Sequence, residues 1–210
     1  MLNSLSEINN MSAAMKLNLG SFDRIFSGWI NTDITPHIWV SKIPFLPDVM
    51  YRVGKLDQER YEEHQKGIFR QLTYLDLTKK FPWSDNSVDA AYTSHVLEHL
   101  YLEGALNCIS EVYRVLKPGG IFRVAVPDLD QLIKSYDPSC PEVFLTEFLE
   151  ATQTLEKNRH HWHYNENSLR KILLDTGFRE VVRCDYRDSQ IAGISEREER
   201  PESLFMECIK

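Results

Sequence analysis

Acidic and histidine side chains recur in this chain where predicted strands end. Asp33 closes the stretch WINTDI, Asp76 lies at the end of QLTYLDL, and Ser94-His95 follows the core of VDAAYTS. The carboxyl ends of parallel strands meet at one edge of an open α/β sheet, and ligands bind outside that edge. A carboxylate there can accept the hydroxyl groups of a ribose, and a histidine can transfer a proton near neutral pH. The pattern therefore predicts a ligand site at this edge.

Gly20 closes the first predicted strand, in the stretch AAMKLNLG. A glycine there lets a ligand approach the backbone without an intervening side chain. Taken singly, these residues also have structural interpretations, because Gly20 suits a turn and because Asp33 and Asp76 suit helix caps or turns. Their positions at the ends of three successive predicted strands favour a cofactor site.

Two residues at the same edge are candidates for acid–base catalysis. His95 follows the fourth predicted strand, and Asp128 follows the fifth through Pro127. His95 also suits the cap of the helix that follows it, and Asp128 suits an N-cap, a role that can coexist with catalysis. His99 lies inside a predicted helix, where a structural role is favoured. We predict catalytic roles for His95 and Asp128.

The segment RHHWHY, residues 159–164, concentrates three histidines. Two adjacent histidines followed by a third lack the i, i+4 spacing of helical zinc sites, and no acidic pattern accompanies them. We therefore predict that this protein has no metal site.

Hydrophobic periodicity predicts strands that alternate with helices, an order typical of a parallel sheet in an α/β protein. The predicted strands are residues 14–20, 29–34, 71–77, 88–94, 121–126, 178–186 and 203–209. The predicted helices are residues 97–116, 129–136, 142–155 and 166–175. The first of these helices ends at Lys117-Pro118-Gly119-Gly120, since proline and glycine stop a helix.

The stretch 35–67 does not follow this alternation. It contains Pro36, Pro44 and Pro47, which predict a loop or insertion, and a charged helix is predicted over residues 55–65. Long irregular loops are often functional, so we consider this segment a candidate lid or dimer contact.

Residues 1–13 are polar and predict an N-terminal arm. The length of 210 residues predicts a single domain, residues 1–210.

Composition narrows the classes of partner. The formal charge of −7 argues against binding of bulk nucleic acid or anionic membranes, both of which need a basic surface. The four cysteines are scattered without a metal-binding spacing, which predicts reduced thiols. The N-terminus does not resemble a signal peptide, and no apolar run is long enough for a membrane span. We predict a cytoplasmic protein.

Several segments resemble, in order and spacing, those of class I S-adenosylmethionine-dependent methyltransferases, and most of all the type 11 group. They are KLNLG, GWINTD, FPWSDNSVD, SHVLEHL, EVYRVLKPGG, VAVPD and WHYNENSLRKILLDTGF. The resemblance implies a Rossmann-like, doubly wound, mostly parallel seven-stranded sheet with an antiparallel last strand and helices on both faces. It also implies S-adenosyl-L-methionine as the cofactor.

The resemblance assigns roles to particular residues of this chain. It places the cofactor at Asn18, Gly20, Asp33, Asp76, Leu77, Ser94 and His95, with the adenine near Asp76 and Leu77 and the methionine part near Ser94 and His95. The histidine-rich segment lies where the family covers its acceptor. This implies a catalytic role for His161 and substrate contacts for Trp162 and Tyr164, with simple loop packing as the alternative.

The turn after Gly20 departs from the family pattern. Ser21-Phe22 stands where a second glycine is usual, and Gly20 is only thirteen positions from Asp33, against about 20 in a nicotinamide-dinucleotide fingerprint. A tight loop in place of a first helix is therefore expected.

The predicted function is methyl transfer to a small-molecule or glycan-type acceptor, and a homodimer is a candidate assembly. The alternative is an inactive binding protein of the same fold.

Overall fold

Seven strands form one sheet in a computed structural model that describes residues 14–149 and 159–210. The strands are β1 (Lys16–Leu19), β2 (Ile30–Asp33), β3 (Leu72–Tyr74), β4 (Val88–Ser94), β5 (Leu116–Pro127), β6 (Arg179–Cys184) and β7 (Ser203–Ile209). Their order is β3-β2-β1-β4-β5-β7-β6, and β7 runs antiparallel to both of its neighbours. The predicted Rossmann-like sheet with an antiparallel last strand is confirmed. The predicted arm, residues 1–13, lies outside the described residues.

Helices connect and cover these strands. They are α1 (His37–Val40), α2 (Leu46–Arg52), α3 (Gln58–Gln65), α4 (Leu102–Val115), α5 (Leu129–Lys134), α6 (Pro141–Leu149) and α7 (Glu166–Thr176). Two short 3₁₀ helices, Ile68–Gln71 and Leu97–His99, precede β3 and α4. No helix in the described residues is long and apolar enough to cross a membrane.

The main core lies between the sheet and the helices α4 and α7. The side chains of α4 at Ala105, Cys108, Ile109, Val112 and Val115 are buried, at the spacing of one helix face. The helix α7 begins with a reciprocal capping box between Asn165 and Ser168 and ends at Gly177, whose φ is +114°. Glycine adopts this left-handed conformation without strain, so the predicted end of the helix is confirmed.

The opposite face of the sheet is covered by loops over β1 and β4. Ala90 and Tyr92 point to this face, where they pack with Phe26, Ile191 and Ile194. These partners come from the β1–β2 loop and from the connection between β6 and β7. No helix forms between β1 and β2, as the short spacing from Gly20 to Asp33 predicts.

A buried ion-pair network fastens the β6–β7 connection to the sheet. Arg123 on β5 is fully buried and donates two hydrogen bonds, of 2.6 and 3.0 Å, to the Glu198 carboxylate. It also donates to Glu207 on β7 at 3.1 Å and to the backbone oxygens of Asp185 and Asp188. The connection is therefore held by charge-assisted hydrogen bonds as well as by apolar contacts.

The first part of the segment 35–67 is helical rather than an irregular loop, because it contains α1 and α2. Pro36 is the N-cap of α1, and Pro47 lies in the first turn of α2. Proline is tolerated at these positions because the first amides of a helix have no intrahelical partner. The charged helix predicted over 55–65 is confirmed as α3, whose N-cap Asp57 accepts a hydrogen bond from the amide of Arg60.

Other boundaries differ from the predictions. The predicted helix 97–116 is divided, because Leu100 and Tyr101 have extended backbones between the 3₁₀ helix and α4. The strand β3 is shorter than predicted, and β5 begins at Leu116 and runs through the glycine turn. The predicted helix 142–155 is described only to Leu149, as α6.

Candidate cofactor-binding site

A cleft opens at the carboxyl ends of β1 and β4, the two strands between which the strand order reverses. This reversal is where ligands bind in open α/β sheets. The cleft is lined by Asn18, Leu19, Gly20, Ser21, Arg24, Phe26, Tyr92, Ser94, His95, residues 197–200, Ser203 and Phe205. The structure therefore brings four predicted cofactor residues together: Asn18, Gly20, Ser94 and His95.

Gly20 forms the sharp turn that leaves β1. Its φ is +69°, and a Cβ atom there would lie 2.5 Å from Cγ2 of Val96. Both the backbone conformation and the Val96 side chain therefore require glycine. The next amide, of Ser21, donates to the Thr32 oxygen at 2.8 Å and ties the turn to β2.

Phe22 stands where the family resemblance implies a second glycine, and its backbone has a conformation that favours glycine. Its φ of +43° lies in the left-handed region, which disfavours residues with a Cβ atom. Its ring packs at the edge of Phe69, with ring centroids 6.1 Å apart, and lies 4.5 Å from the Arg60 guanidinium. The side chain is therefore directed towards the segment 35–71, outside the residues that line the cleft.

Asp33 ends β2 at the same edge and is half-buried. Its Oδ2 accepts a hydrogen bond from the Phe22 amide at 3.0 Å, and its Oδ1 accepts one from the Thr35 amide at 2.7 Å. These two bonds orient the carboxylate. Asp33 thus couples the turn after β1 to the end of β2.

Asn18 braces the loop that lines the cleft. Its buried amide nitrogen donates to the Arg24 oxygen at 2.8 Å and to Asn31 Oδ1 at 3.0 Å. Asn31 in turn accepts from the Phe26 amide at 2.8 Å. These bonds explain the conformation of the β1–β2 loop without a helix, and they give Asn18 a structural role beside any contact with a ligand.

Asp76 and Leu77 lie beyond the cleft, after β3. Asp76 Oδ1 accepts from the amide and from the hydroxyl of Thr78, at 2.9 and 2.7 Å. The Leu77 side chain is buried in the main core. Neither residue lines the cleft, although both follow a strand that ends at the same edge as Asp33.

His95 is the most constrained residue of the cleft. Its φ of +53° is unusual for a residue with a side chain, and its amide donates to the Ala125 oxygen at 2.9 Å. Its Nε2 lies 2.8 Å from Ser203 Oγ, and its Nδ1 lies 3.1 Å from Glu98 Oε1, where the geometry is not that of an aligned hydrogen bond. Strained backbones of this kind cluster at functional sites.

Tyr92 lies behind Ser94 and His95. Burial raises the pKa of its hydroxyl to about 12, and a hydrogen bond with Ser94 partly offsets this increase. The phenol therefore stays neutral at physiological pH and contributes a hydrogen-bonding group, rather than a charge, to the wall of the cleft.

Asp128 has a structural position next to β5. It is the N-cap of α5, where its Oδ1 accepts from the Asp130 amide at 3.0 Å, and its Oδ2 lies 2.9 Å from Arg183 Nη2. It does not line the cleft of Gly20 and His95. The capping interpretation therefore has direct support, whereas the catalytic role predicted for Asp128 stays a prediction.

The three predicted acceptor-side residues occupy different environments. The His161 ring stacks on Tyr101 with centroids 4.2 Å apart, and Trp162 is 42% exposed. Tyr164 is fully buried in the main core, and burial raises the pKa of its hydroxyl. The substrate contact predicted for Tyr164 does not fit this position, because an aromatic residue before a helix can pack inward as readily as outward.

Sequence reasoning missed the residues that the β6–β7 connection contributes. Arg197, Glu199 and Arg200 line the cleft together with Ser203, the hydrogen-bond partner of His95. It also missed Glu98, whose carboxylate is fully buried beside His95. The contact of Ser203 with His95 joins distant parts of the chain, so no local pattern of residues signals it.

Comparison with known proteins agrees with this geometry. Residues 48–124, from α2 into β5, match the type 11 methyltransferase family model, which is described as a methyltransferase domain. No curated protein sequence has significant similarity to the chain.

Solved structures share the fold at low sequence identity. A SAM-dependent methyltransferase from Archaeoglobus fulgidus has a TM-score of 0.53 and 16% identity, over 95% of this chain and 87% of its own. An S-adenosylmethionine-dependent methyltransferase from Mesorhizobium loti has a TM-score of 0.51 and 14% identity, over 93% and 90%. Haemonchus contortus phosphoethanolamine N-methyltransferase 2, solved with S-adenosyl-L-methionine, has a TM-score of 0.50 and 12% identity, over 96% and 50%.

The strand order, the cleft at its reversal point and the family match over residues 48–124 agree with one another. The fold is shared with solved S-adenosylmethionine-dependent methyltransferases, and the match to the methyltransferase family model is confined to residues 48–124.

Proposed function

We propose that this protein transfers the methyl group of S-adenosylmethionine to a small-molecule or glycan-type acceptor. The observation that carries the proposal is the edge where the Gly20–Phe22 turn, Asp33 and His95 meet at the ends of β1, β2 and β4. The cofactor supplies an activated methyl group, so the protein contributes chiefly by aligning donor and acceptor.

Each part of the cofactor would have its own contacts along this edge. Asp33 would accept the ribose hydroxyls, and the turn at Gly20 with Ser94 and His95 would hold the methionine part. The Asp76–Leu77 backbone would contact the adenine. The cleft has a volume of about 130 Å³, whereas sites for ligands of this size have about 300–1,000 Å³. The cofactor would therefore extend from the cleft along the edge towards Asp33 and Asp76.

Charge and exposure support a small acceptor. The formal charge of −7 provides no basic field for nucleic acid. Trp162 is exposed, and His161 stacks on Tyr101, itself 71% exposed, so these rings offer an aromatic surface for a sugar or another small molecule. The lid or homodimer role of residues 35–67 and the cytoplasmic location stay predictions.

Titration calorimetry with S-adenosylmethionine and S-adenosylhomocysteine tests the cofactor site. We expect micromolar binding that Asp33→Ala weakens roughly 10-fold or more, because it removes charge-assisted hydrogen bonds. The matched control is Asp175→Ala, which removes an exposed carboxylate of α7 that pairs with Lys171. Thermal unfolding of both variants checks folding, since Asp33 also accepts two backbone hydrogen bonds. Absence of binding by the folded wild type would contradict the proposal.

An inactive binding protein of the same fold is the second candidate. Two observations favour it: Phe22 replaces a glycine, and both Asp33 oxygens already accept backbone hydrogen bonds. The variant Phe22→Gly separates the candidates. Binding of S-adenosylhomocysteine by this variant and not by the wild type would favour the inactive protein, whereas equal binding by both would favour the enzyme.

A further inference from the structure

Three side chains at the start of the α4 segment converge in a way that the proposed methyl transfer does not use. Each of these side chains offers one possible ligand atom, and the three atoms lie within 4.8 Å of one another. The residues are Glu98, His99 and His160. Glu98 and His99 belong to the 3₁₀ helix Leu97–His99, and His160 comes from the segment before α7. Two imidazoles and one carboxylate form a ligand set that divalent transition metals accept.

Backbone hydrogen bonds hold the two segments together. The backbone carbonyl oxygen of Glu98 accepts from the His161 amide at 2.7 Å and from the Trp162 amide at 3.2 Å. As a result, the rings of His99 and His160 lie with their centroids 4.9 Å apart. His99 Nδ1 lies 3.3 Å from the Arg159 oxygen. A histidine that donates from Nδ1 to a carbonyl presents its Nε2 as the metal-binding nitrogen.

The Glu98 carboxylate gives an independent reason to expect a cation. The residue is fully buried, and neither of its oxygens has a hydrogen-bond partner among the described residues. Its nearest basic atom is His95 Nδ1 at 3.1 Å, without hydrogen-bond alignment. Burial of an unpartnered carboxylate is costly, so such groups are normally paired or coordinate metals.

We propose that Glu98, His99 and His160 bind a divalent transition metal ion, with zinc as the best match to the ligand set. Zinc ligands lie about 2.0–2.2 Å from the ion and so roughly 3.4 Å from one another in a tetrahedral site, and side-chain adjustment would bring the three atoms to that separation on binding. Three protein ligands leave one position open for water or another oxygen donor. The sequence pattern of residues 159–164 predicts no metal site, because the acid and the second histidine come from a distant part of the chain.

Metal binding is measured on the purified full chain after treatment with a chelator. Equilibrium dialysis against zinc chloride, followed by elemental analysis, gives stoichiometry and affinity. The exposed thiol of Cys140 could bind zinc adventitiously, so all measurements use a Cys140→Ser background. We expect one zinc per chain, with affinity reduced at least tenfold in Glu98→Gln and in His160→Ala.

The matched control is His161→Ala, which removes a neighbouring histidine whose ring stacks on Tyr101 outside the cluster. It should bind zinc as the parent does. Zinc should also raise the melting temperature of the parent and of the control, but not that of His160→Ala, because only a ligand that binds the folded state stabilises it. Since His99 and His160 are only half-buried, variants at these positions should fold even if Glu98→Gln does not.

Absence of stoichiometric zinc binding by the parent, or equal binding by His160→Ala, would overturn the metal site. The result is separate from the proposed function, because S-adenosylhomocysteine binding can be titrated in the chelator-treated protein. If the protein binds S-adenosylhomocysteine but not zinc, the metal site has failed. If it binds zinc but not S-adenosylhomocysteine, the proposed function has failed.

Discussion

At the scale of single residues, Phe22 and His95 show where the candidate site departs from relaxed geometry. Both have a Cβ atom and a left-handed backbone, and both flank the cleft at the β1–β4 reversal. Each such residue costs about 1–3 kcal/mol, and it persists only where its surroundings hold it. Phe22 is held by the bond from its amide to Asp33 and by its contact with Phe69, and His95 is held by Ser203 and Ala125.

This strain gives a prediction on stability. Phe22→Ala and Phe22→Gly both remove the ring from Phe69 and Arg60, but only glycine relieves the left-handed strain. We expect the glycine variant to be more stable than the alanine variant by about 1 kcal/mol. Urea denaturation measures the difference. A more stable alanine variant, as at most ordinary positions, would show that the backbone at residue 22 is not left-handed.

A second prediction separates the two catalytic candidates. His95→Ala should reduce kcat about 100-fold or more with an identified acceptor, if the ring transfers a proton. Asp128→Ala should instead lower the free energy of unfolding by roughly 1–2 kcal/mol, since it removes the N-cap of α5. Steady-state kinetics and urea denaturation of both variants provide the measurements. Full activity of His95→Ala would remove this residue from the mechanism.

At the scale of elements, the short helices between β2 and β3 contain a histidine pair, of which His64 is buried and His37 is half-buried. His37 Nδ1 and His64 Nε2 lie 3.0 Å apart, so one ring donates to the other. Burial, followed by the charges of His37 and Arg70, lowers the pKa of His64 from 6.5 to about 4. Neutral imidazole is therefore the form that the packing of α1, α3 and Phe69 requires.

The sign of the resulting pH dependence follows from this shift. Between pH 6.5 and about 4 the unfolded chain binds a proton at His64 that the folded chain does not. The stability contributed by neutral His64 is complete above pH 6.5 and is lost as the pH falls towards 4. We expect the melting temperature of His64→Gln to decline less than that of the wild type over this range. Parallel curves for the two proteins would contradict the assignment.

Elements with a clear local pattern could be predicted from the sequence. The strands β4 and β7 have their predicted bounds, because each has a short apolar centre and is preceded by turn residues. The helices α1 and α2 could not be predicted, because their prolines occupy caps and first turns, where they do not break a helix.

The residues of the candidate site also fall into those that the sequence signals locally and those that it does not. Gly20, Asp33 and His95 could be predicted because each follows a strand in the chain. The contacts of Ser203 with His95 and of Glu98 with the segment of His160 depend on the packing of distant segments.

At the scale of the whole molecule, the Arg123 network joins β5, β7 and the β6–β7 connection. Arg123→Met would leave the carboxylates of Glu198 and Glu207 buried without their common partner. We expect a loss of about 3–5 kcal/mol in the free energy of unfolding. The control Lys171→Ala breaks an exposed pair and should change stability by no more than about 0.5 kcal/mol. A loss of less than about 1 kcal/mol for Arg123→Met would contradict the structural role of this network.

The central claim is that S-adenosylmethionine binds at the edge formed by β1, β2 and β4. Amide hydrogen exchange with and without saturating S-adenosylhomocysteine tests both binding and position. We expect slower exchange in peptides that cover residues 20–35 and 94–99, with little change in α7 and β6. Unchanged exchange at these two segments, or protection confined to another part of the chain, would contradict it.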